Sequence, residues 1–359
     1  MKKSFFVILA VFVVVAILLI FKLPIFLSPE KQIEQQEIIK TSKESKEEFE
    51  RNYHGKIKTA FVKNFGMLPP WERTESLLRE NLLAKERLGV NTYHTFTCYM
   101  YEKGHFKSCV PFVEEMYKAI SEEISAVKKA GLAIDFSSSW GVGSKVNLAD
   151  REDLERFLEE YKKILVKDAK FAEKYMVEYF SLNEPDHLIE EQPFHISEND
   201  KVEIINKYKN DVVPKIKEVY NGKIYYQIGD AVLWNFTKLN VSGLDYFGVL
   251  IGGMCDFEIF KRKVDEIFSK AESLSENSGV PWIISELWIN KIYNEGENSC
   301  DLTGKRSKYY EYVFEKAKKS ENLKGIMIDT WNVDEEGFET SVKDTPSEQT
   351  IKEFFEIWE

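Results

Sequence analysis

From Tyr53 to the C-terminus, short runs of apolar, β-branched and aromatic residues alternate with longer segments that are apolar on one face and charged on the other. The short runs read as strands near Ile57 to Val62, Val90 to Thr97, Leu132 to Ser137, Met176 to Leu182, Lys223 to Ile228, Leu244 to Ile251, Pro281 to Ser285 and Lys324 to Thr330. The longer segments read as helices: Trp71 to Leu88, Val113 to Ala130, Arg151 to Tyr175, Lys201 to Tyr220, Phe257 to Glu276 and Lys305 to Ser320, closed by Glu348 to Trp358. Gly89, Gly131, Gly222 and Gly279 stand where a helix should stop and a strand begin. Eight strands alternating with helices predict an α/β fold, a (β/α)8 TIM barrel over residues 53–359. Gly229 to Gly243, after the fifth strand, is too short for a full crossover helix. A doubly wound open sheet is the alternative, though no Gly-rich phosphate loop follows the first strand.

The pattern differs before Tyr53. Met1-Lys2-Lys3 precedes an uncharged run from Phe5 to Phe21, then Lys22 and a second apolar run from Leu23 to Leu27. With Lys22 snorkelling, this block is long enough to cross a hydrocarbon core of about 30 Å. It exceeds a signal-peptide core, and no A-x-A-like site follows it, so an uncleaved transmembrane signal anchor over residues 1–27 is favoured above a cleaved signal peptide. Lys2 and Lys3 would hold the N-terminus in the cytoplasm, giving a single-pass cell-membrane protein with an extracytoplasmic domain. Residues 28–52, rich in Glu, Lys and Gln, read as a polar stalk.

Composition narrows the function. A net charge of −11 argues against nucleic acid as the partner, because phosphate binding needs a basic footprint. The five histidines form no H-x-H or H-E-x-x-H pattern and the four cysteines no C-x-x-C spacing, so neither metal nor organic cofactor is expected.

Two strands end on a glutamate. Met176 to Leu182 runs into Asn183-Glu184-Pro185, where proline forbids continuation, and Pro281 to Ser285 runs into Glu286. In a (β/α)8 barrel these are the C-terminal ends of the fourth and seventh strands, across the mouth from each other. Paired carboxyls there suit glycoside hydrolysis, one protonating the departing oxygen while the other attacks or activates water; a separation of about 5 to 5.5 Å would imply a covalent glycosyl intermediate. The acid needs a raised pKa and the nucleophile must stay ionised.

Asn183-Glu184-Pro185 closing strand four and Ser285-Glu286 closing strand seven resemble the signature of clan A glycoside hydrolases, retaining β-glycosidases that include cellulases, β-mannanases and β-galactanases. The resemblance implies that Glu184 is the acid/base, Glu286 the nucleophile and Asn183 a partner of the sugar 2-hydroxyl. In Asp329-Thr-Trp331-Asn332, Trp331 resembles the tryptophan that ends strand eight and floors the cleaved-sugar subsite. One departure stands out: where many members carry a histidine and a tyrosine near the end of strand six, this chain has Leu250, Gly252 and Gly253, with Tyr246 earlier on the strand.

Trp140, Trp234 and Trp288 also follow strands three, five and seven, where indole faces could stack on sugar rings, and His94 on strand two could reach a hydroxyl. His187, Asp135 and Asp230 are further strand-end candidates, the aspartates as hydrogen-bonding support. Outside the membrane disulfides are expected: Cys98 with Cys109 would pin the loop after strand two and Cys255 with Cys300 would join the rims after strands six and seven, though four cysteines leave three pairings open. Asn235-Phe-Thr237 and Asn240-Val-Ser242 match the glycosylation sequon. The expected function is membrane-anchored hydrolysis of O-glycosidic bonds in a polysaccharide or surface glycan by two-glutamate double displacement; the alternative is a catalytically degenerate carbohydrate-binding barrel.

Overall fold

The computed structural model describes residues 50–60, 70–102, 104–109, 112–140, 146–183, 185–190, 192, 194–229, 234–295, 298–332 and 340–358. Strand β1 (Ile57–Ala60) is followed by α1 (Pro70–Leu88), β2 (Thr92–Glu102), β3 (His105–Ser108), α2 (Val113–Lys129), β4 (Ala133–Trp140), α3 (Arg151–Lys174) and β5 (Tyr179–Ser181). Then come α4 (Pro185–Glu190), α5 (Glu198–Lys217), β6 (Lys223–Ile228), β7 (Tyr246–Gly252), α6 (Phe257–Ser278), β8 (Trp282–Trp288), β9 (Ile292–Glu295), β10 (Asn298–Asp301), α7 (Arg306–Ala317), β11 (Leu323–Ile328) and α8 (Pro346–Ile357).

The eight parallel strands run in the order β1, β2, β4, β5, β6, β7, β8, β11, and β1 closes the ring by pairing with both β11 and β2. This is the expected TIM barrel. Each anticipated strand is present, and a 3₁₀ turn at Phe236–Lys238 replaces the crossover helix between β6 and β7. The hairpins were not foreseen: β3 folds back antiparallel on β2, and β9 pairs with β10 beyond β8. The expected membrane segment and most of the stalk fall on residues 1–49, outside the described residues. No helix among the described residues is long and apolar enough to cross a membrane.

The helices start where the sequence supplies caps. Asp150 accepts the Asp153 backbone N–H ahead of α3, Ser197 that of Asp200 ahead of α5, and Asp256 those of Glu258 and Ile259 ahead of α6; each such cap stabilises by about 1 kcal/mol. Two sets of buried side chains follow from the alternation of the strands. Trp282 and Ile284 on β8, like Phe180 on β5, face out and pack under the helices. Ile57, Ala133, Tyr179, Tyr225, Ile283 and Met327 form a separate plug inside the ring, joined by Tyr246. A filled interior leaves room for a ligand only at an end.

Charged groups brace the wall. Fully buried Asp168 on α3 accepts hydroxyl hydrogen bonds from Thr97 (2.5 Å), Ser138 (2.6 Å), Tyr99 (3.0 Å) and Tyr117. At the closed end Lys128 pairs with buried Glu178 (2.6 Å), which also accepts the backbone N–H groups of Asn52 and Ile134. Arg51 donates to the Val177 carbonyl at the start of β5 (2.9 Å), so the chain enters the barrel at the end opposite its mouth.

Candidate active site

Glu286 reaches the mouth through a fault in the sheet. Strict alternation from Ile283, which is in the inner plug, would send Ser285 and Leu287 inward and Glu286 out among the helices. Against β7, however, Ile284 pairs with Val249 and Glu286 with Leu250; against β11, Ile284 pairs with Ile326 and Leu287 with Ile328. One extra residue is accommodated at Ser285 and Glu286. This β-bulge turns the next positions over, so Glu286 and Trp288 share the inner face with Leu250 and Gly252 while Leu287 packs outside. Gly248 makes the room: a Cβ there would lie 2.6 Å from the Ser285 Cβ. Glu286 itself is half-buried.

Below it, polar groups link strands across the ring. His94 Nδ1 lies 2.7 Å from Asp135 Oδ2, and Tyr225 donates its hydroxyl to the same oxygen at 3.0 Å. His94 Nε2 faces the Ser137 hydroxyl at 3.5 Å. Asp135 is fully buried, and its other oxygen has no hydrogen-bond partner among the described residues. Burial first, then the charge of Asp135, holds the Tyr225 phenol well above its ordinary pKa, and the Glu286 carboxylate is close enough to add to that shift. Tyr225 is thus a neutral donor to Asp135, within electrostatic reach of Glu286. It carried no sequence signal, being one of two adjacent tyrosines in a strand.

Asn183 adopts a left-handed backbone (φ +54°), ending β5 after three residues. Its side-chain amide donates to the Ser138 carbonyl and to the Tyr161 hydroxyl (2.9 Å), inside the wall between β4 and α3. Both bonds hold β4 and α3 to the end of β5. Asp186 is buried and accepts from the Tyr226 hydroxyl (2.8 Å) and the Gly229 N–H (2.9 Å), fixing α4 to β6. Glu184 lies outside the described residues, as do Asp230 and the side chain of His187.

Of the four candidate tryptophans, one takes the inner face. Trp288 lies against Gly252, where a Cβ would come within 2.4 Å of the indole. Trp140 belongs to the outer face and packs edge-on against Tyr161 and Phe157 of α3. Trp234 is 2% exposed, beneath Lys201. Trp331 is fully buried, donates its indole N–H to Glu80 of α1 (3.2 Å) and lies under Arg87. Trp234 and Trp331 are packing residues, because an indole shut under helices has no face for a sugar; Trp140 is half-buried. His94 keeps its place inside the ring, with its Nδ1 committed to Asp135. Tyr246 sits lower, against Tyr179 in the plug.

The rim is stapled. Cys98 pairs with Cys109, tying β2 to the end of its hairpin, and Cys255 with Cys300, tying the loop after β7 to β10. Among the described residues no group of three His, Cys, Asp or Glu side chains is placed to hold a metal ion.

No family model and no curated protein matches the sequence. Solved structures do resemble the fold. A GH113 beta-mannanase from Alicyclobacillus acidocaldarius matches with a TM-score of 0.62 at 13% identity, covering 84% of this chain and 98% of that one. An endo-1,4-beta-D-mannanase from Thermotoga petrophila matches at 0.56 and 14%, covering 85% and 100%. A beta-glucuronidase from Ruminococcus gnavus matches at 0.56 and 12%, covering 85% of this chain and 50% of its own. The likeness is one of fold: the chain is a TIM barrel, built like these glycoside hydrolase structures.

Proposed function

We propose that this chain is a retaining β-glycosidase acting on a polysaccharide or surface glycan, held to the cell membrane by Phe5 to Leu27 with its barrel outside. The observation that carries the reading is the bulge that turns Glu286 into the mouth, on the same face as Trp288. In this mechanism the Glu286 carboxylate attacks the anomeric carbon while Glu184 gives its proton to the departing oxygen. A water then attacks the glycosyl-enzyme, losing its proton to Glu184 and releasing Glu286. Metal and organic cofactors play no part. The two disulfides support an oxidising, extracytoplasmic setting.

A second reading, a sugar-binding barrel without turnover, is favoured by Leu250 standing beside Glu286 and by the engaged Asn183 amide. One experiment separates them. The full chain is incubated with aryl β-glycosides and β-glycans, β-1,4-mannan first because mannanases are among the similar structures. Products lost on Glu286→Ala support the enzyme; saturable binding without products supports the binder.

A further inference from the structure

From Trp234 on, the described part of the loop between β6 and β7 is a string of buried anchors with exposed residues between them. Trp234, Phe236, Leu239 and Val241 are each at most 5% exposed, while Asn235 and Asn240 point to solvent. Both asparagines begin an Asn-x-Ser/Thr triplet, and both side chains make the same local turn. Asn235 Oδ1 accepts the Thr237 backbone N–H (3.3 Å) and hydroxyl (2.7 Å), and Asn240 Oδ1 accepts the Ser242 N–H (3.0 Å). That turn commits the carbonyl oxygen to the chain and leaves the amide nitrogen as the outward atom. A second observation lies beside Asn235. An open polar cavity of about 540 Å³ is lined by Asn235, Thr237, Glu266, Lys270 and Ser273, with buried Trp234 beside them. Sugar hydroxyls against such a lining would find both donors and acceptors.

We propose that Asn235 and Asn240 are N-glycosylation sites, and that the first sugar of the Asn235 glycan rests in this cavity against α6. The donor is a lipid-phosphate-linked oligosaccharide. The asparagine Nδ2 forms a bond to the anomeric carbon, the bond from that carbon to the phosphate oxygen breaks, the lipid phosphate leaves with the electron pair, and one amide proton passes to a base of the transferase. Nothing is oxidised or reduced. Asn235 is the fuller site because the Thr237 hydroxyl is turned onto its amide. The proposal rests on the barrel lying outside the membrane, and not on its being a glycosidase.

The test is to produce the full chain in a host whose secretory membrane carries an oligosaccharyltransferase. Peptides are mapped with a glycosidase that converts a carrier asparagine to aspartate, and disulfides are mapped in the same sample. Conversion at Asn235, more complete than at Asn240 and abolished by Thr237→Val and by Asn235→Gln, is the expected result. Intact disulfides with both asparagines unmodified would overturn the proposal while leaving the extracytoplasmic reading standing. Free thiols with no glycan would overturn both.

Discussion

Leu250 on β7 and Glu286 on β8 are register partners in the sheet, and the bulge at Ser285 is what brings them abreast. The pairing depends on Gly248, whose missing Cβ leaves space for the Ser285 side chain. Gly248→Ala should push Ser285 away, cost about 1–3 kcal/mol of stability through overpacking, and cut kcat by more than tenfold as Glu286 moves. Denaturant melts and steady-state kinetics on the same preparation check this; unchanged kcat in a folded variant would show that the bulge does not aim the carboxylate.

Tyr225→Phe removes the hydroxyl that shares Asp135 Oδ2 with His94, without opening a cavity. Stability should fall by about 1 kcal/mol, because a buried acceptor loses one of its hydrogen bonds and keeps the other, to His94. Tyr225 is also a neighbour of Glu286 rather than of the sugar, so kcat should fall roughly tenfold, about 1.4 kcal/mol in the barrier, with KM little changed. A rise in KM alone would place Tyr225 at the substrate instead.

Trp288 owes its position to Gly252. Gly252→Ala should displace the indole and raise KM, as should Trp288→Ala, because a sugar would lose a flat apolar contact. Trp331→Phe should lower stability through the lost Glu80 hydrogen bond and leave KM alone. Kinetics showing the reverse pattern would return Trp331 to the sugar site.

Lys209 on α5 is 2% exposed, and burial lowers its pKa from 10.5 to about 8. Between those values the unfolded chain holds more protons than the folded one, so stability rises with pH across that window and the penalty is complete below pH 8. Lys209→Met should therefore stabilise the fold at pH 7, by about 1–3 kcal/mol, and by progressively less as pH is raised to 10. Urea titrations at several pH values measure it; a pH-independent difference would mean that folding leaves the Lys209 pKa where it stands in the unfolded chain.

How much of this could be read from the chain depends on how local each signal was. Strands and helices followed from period and from glycines such as Gly131 and Gly279, which adopt φ of +73° and +72° where a helix hands over to a strand. The face of each residue after a strand end did not. The sequence places Glu286 inward at the strand end, but counting by twos from Ile283 would turn it out, and only the cross-strand register of β7, β8 and β11 reveals the bulge that brings it in. Trp331 and Asn183 stand at the expected strand ends, yet Glu80 of α1 claims one and Tyr161 of α3 the other. Asp168 reads as a solvent charge in a long polar helix. Four hydroxyls from β2, β4 and α2 bury it, and no spacing along the chain announces them.

The central claim is that Glu286 is the nucleophile of a double displacement. It is tested most directly by incubating the full chain with a 2-deoxy-2-fluoro β-glycoside carrying a good leaving group, in the sugar that the substrate panel selects, and measuring the intact mass and the labelled peptide. The account requires one glycosyl adduct, carried on Glu286 and absent in Glu286→Ala. An adduct on another residue, or undiminished turnover by the Glu286→Ala protein, would contradict it.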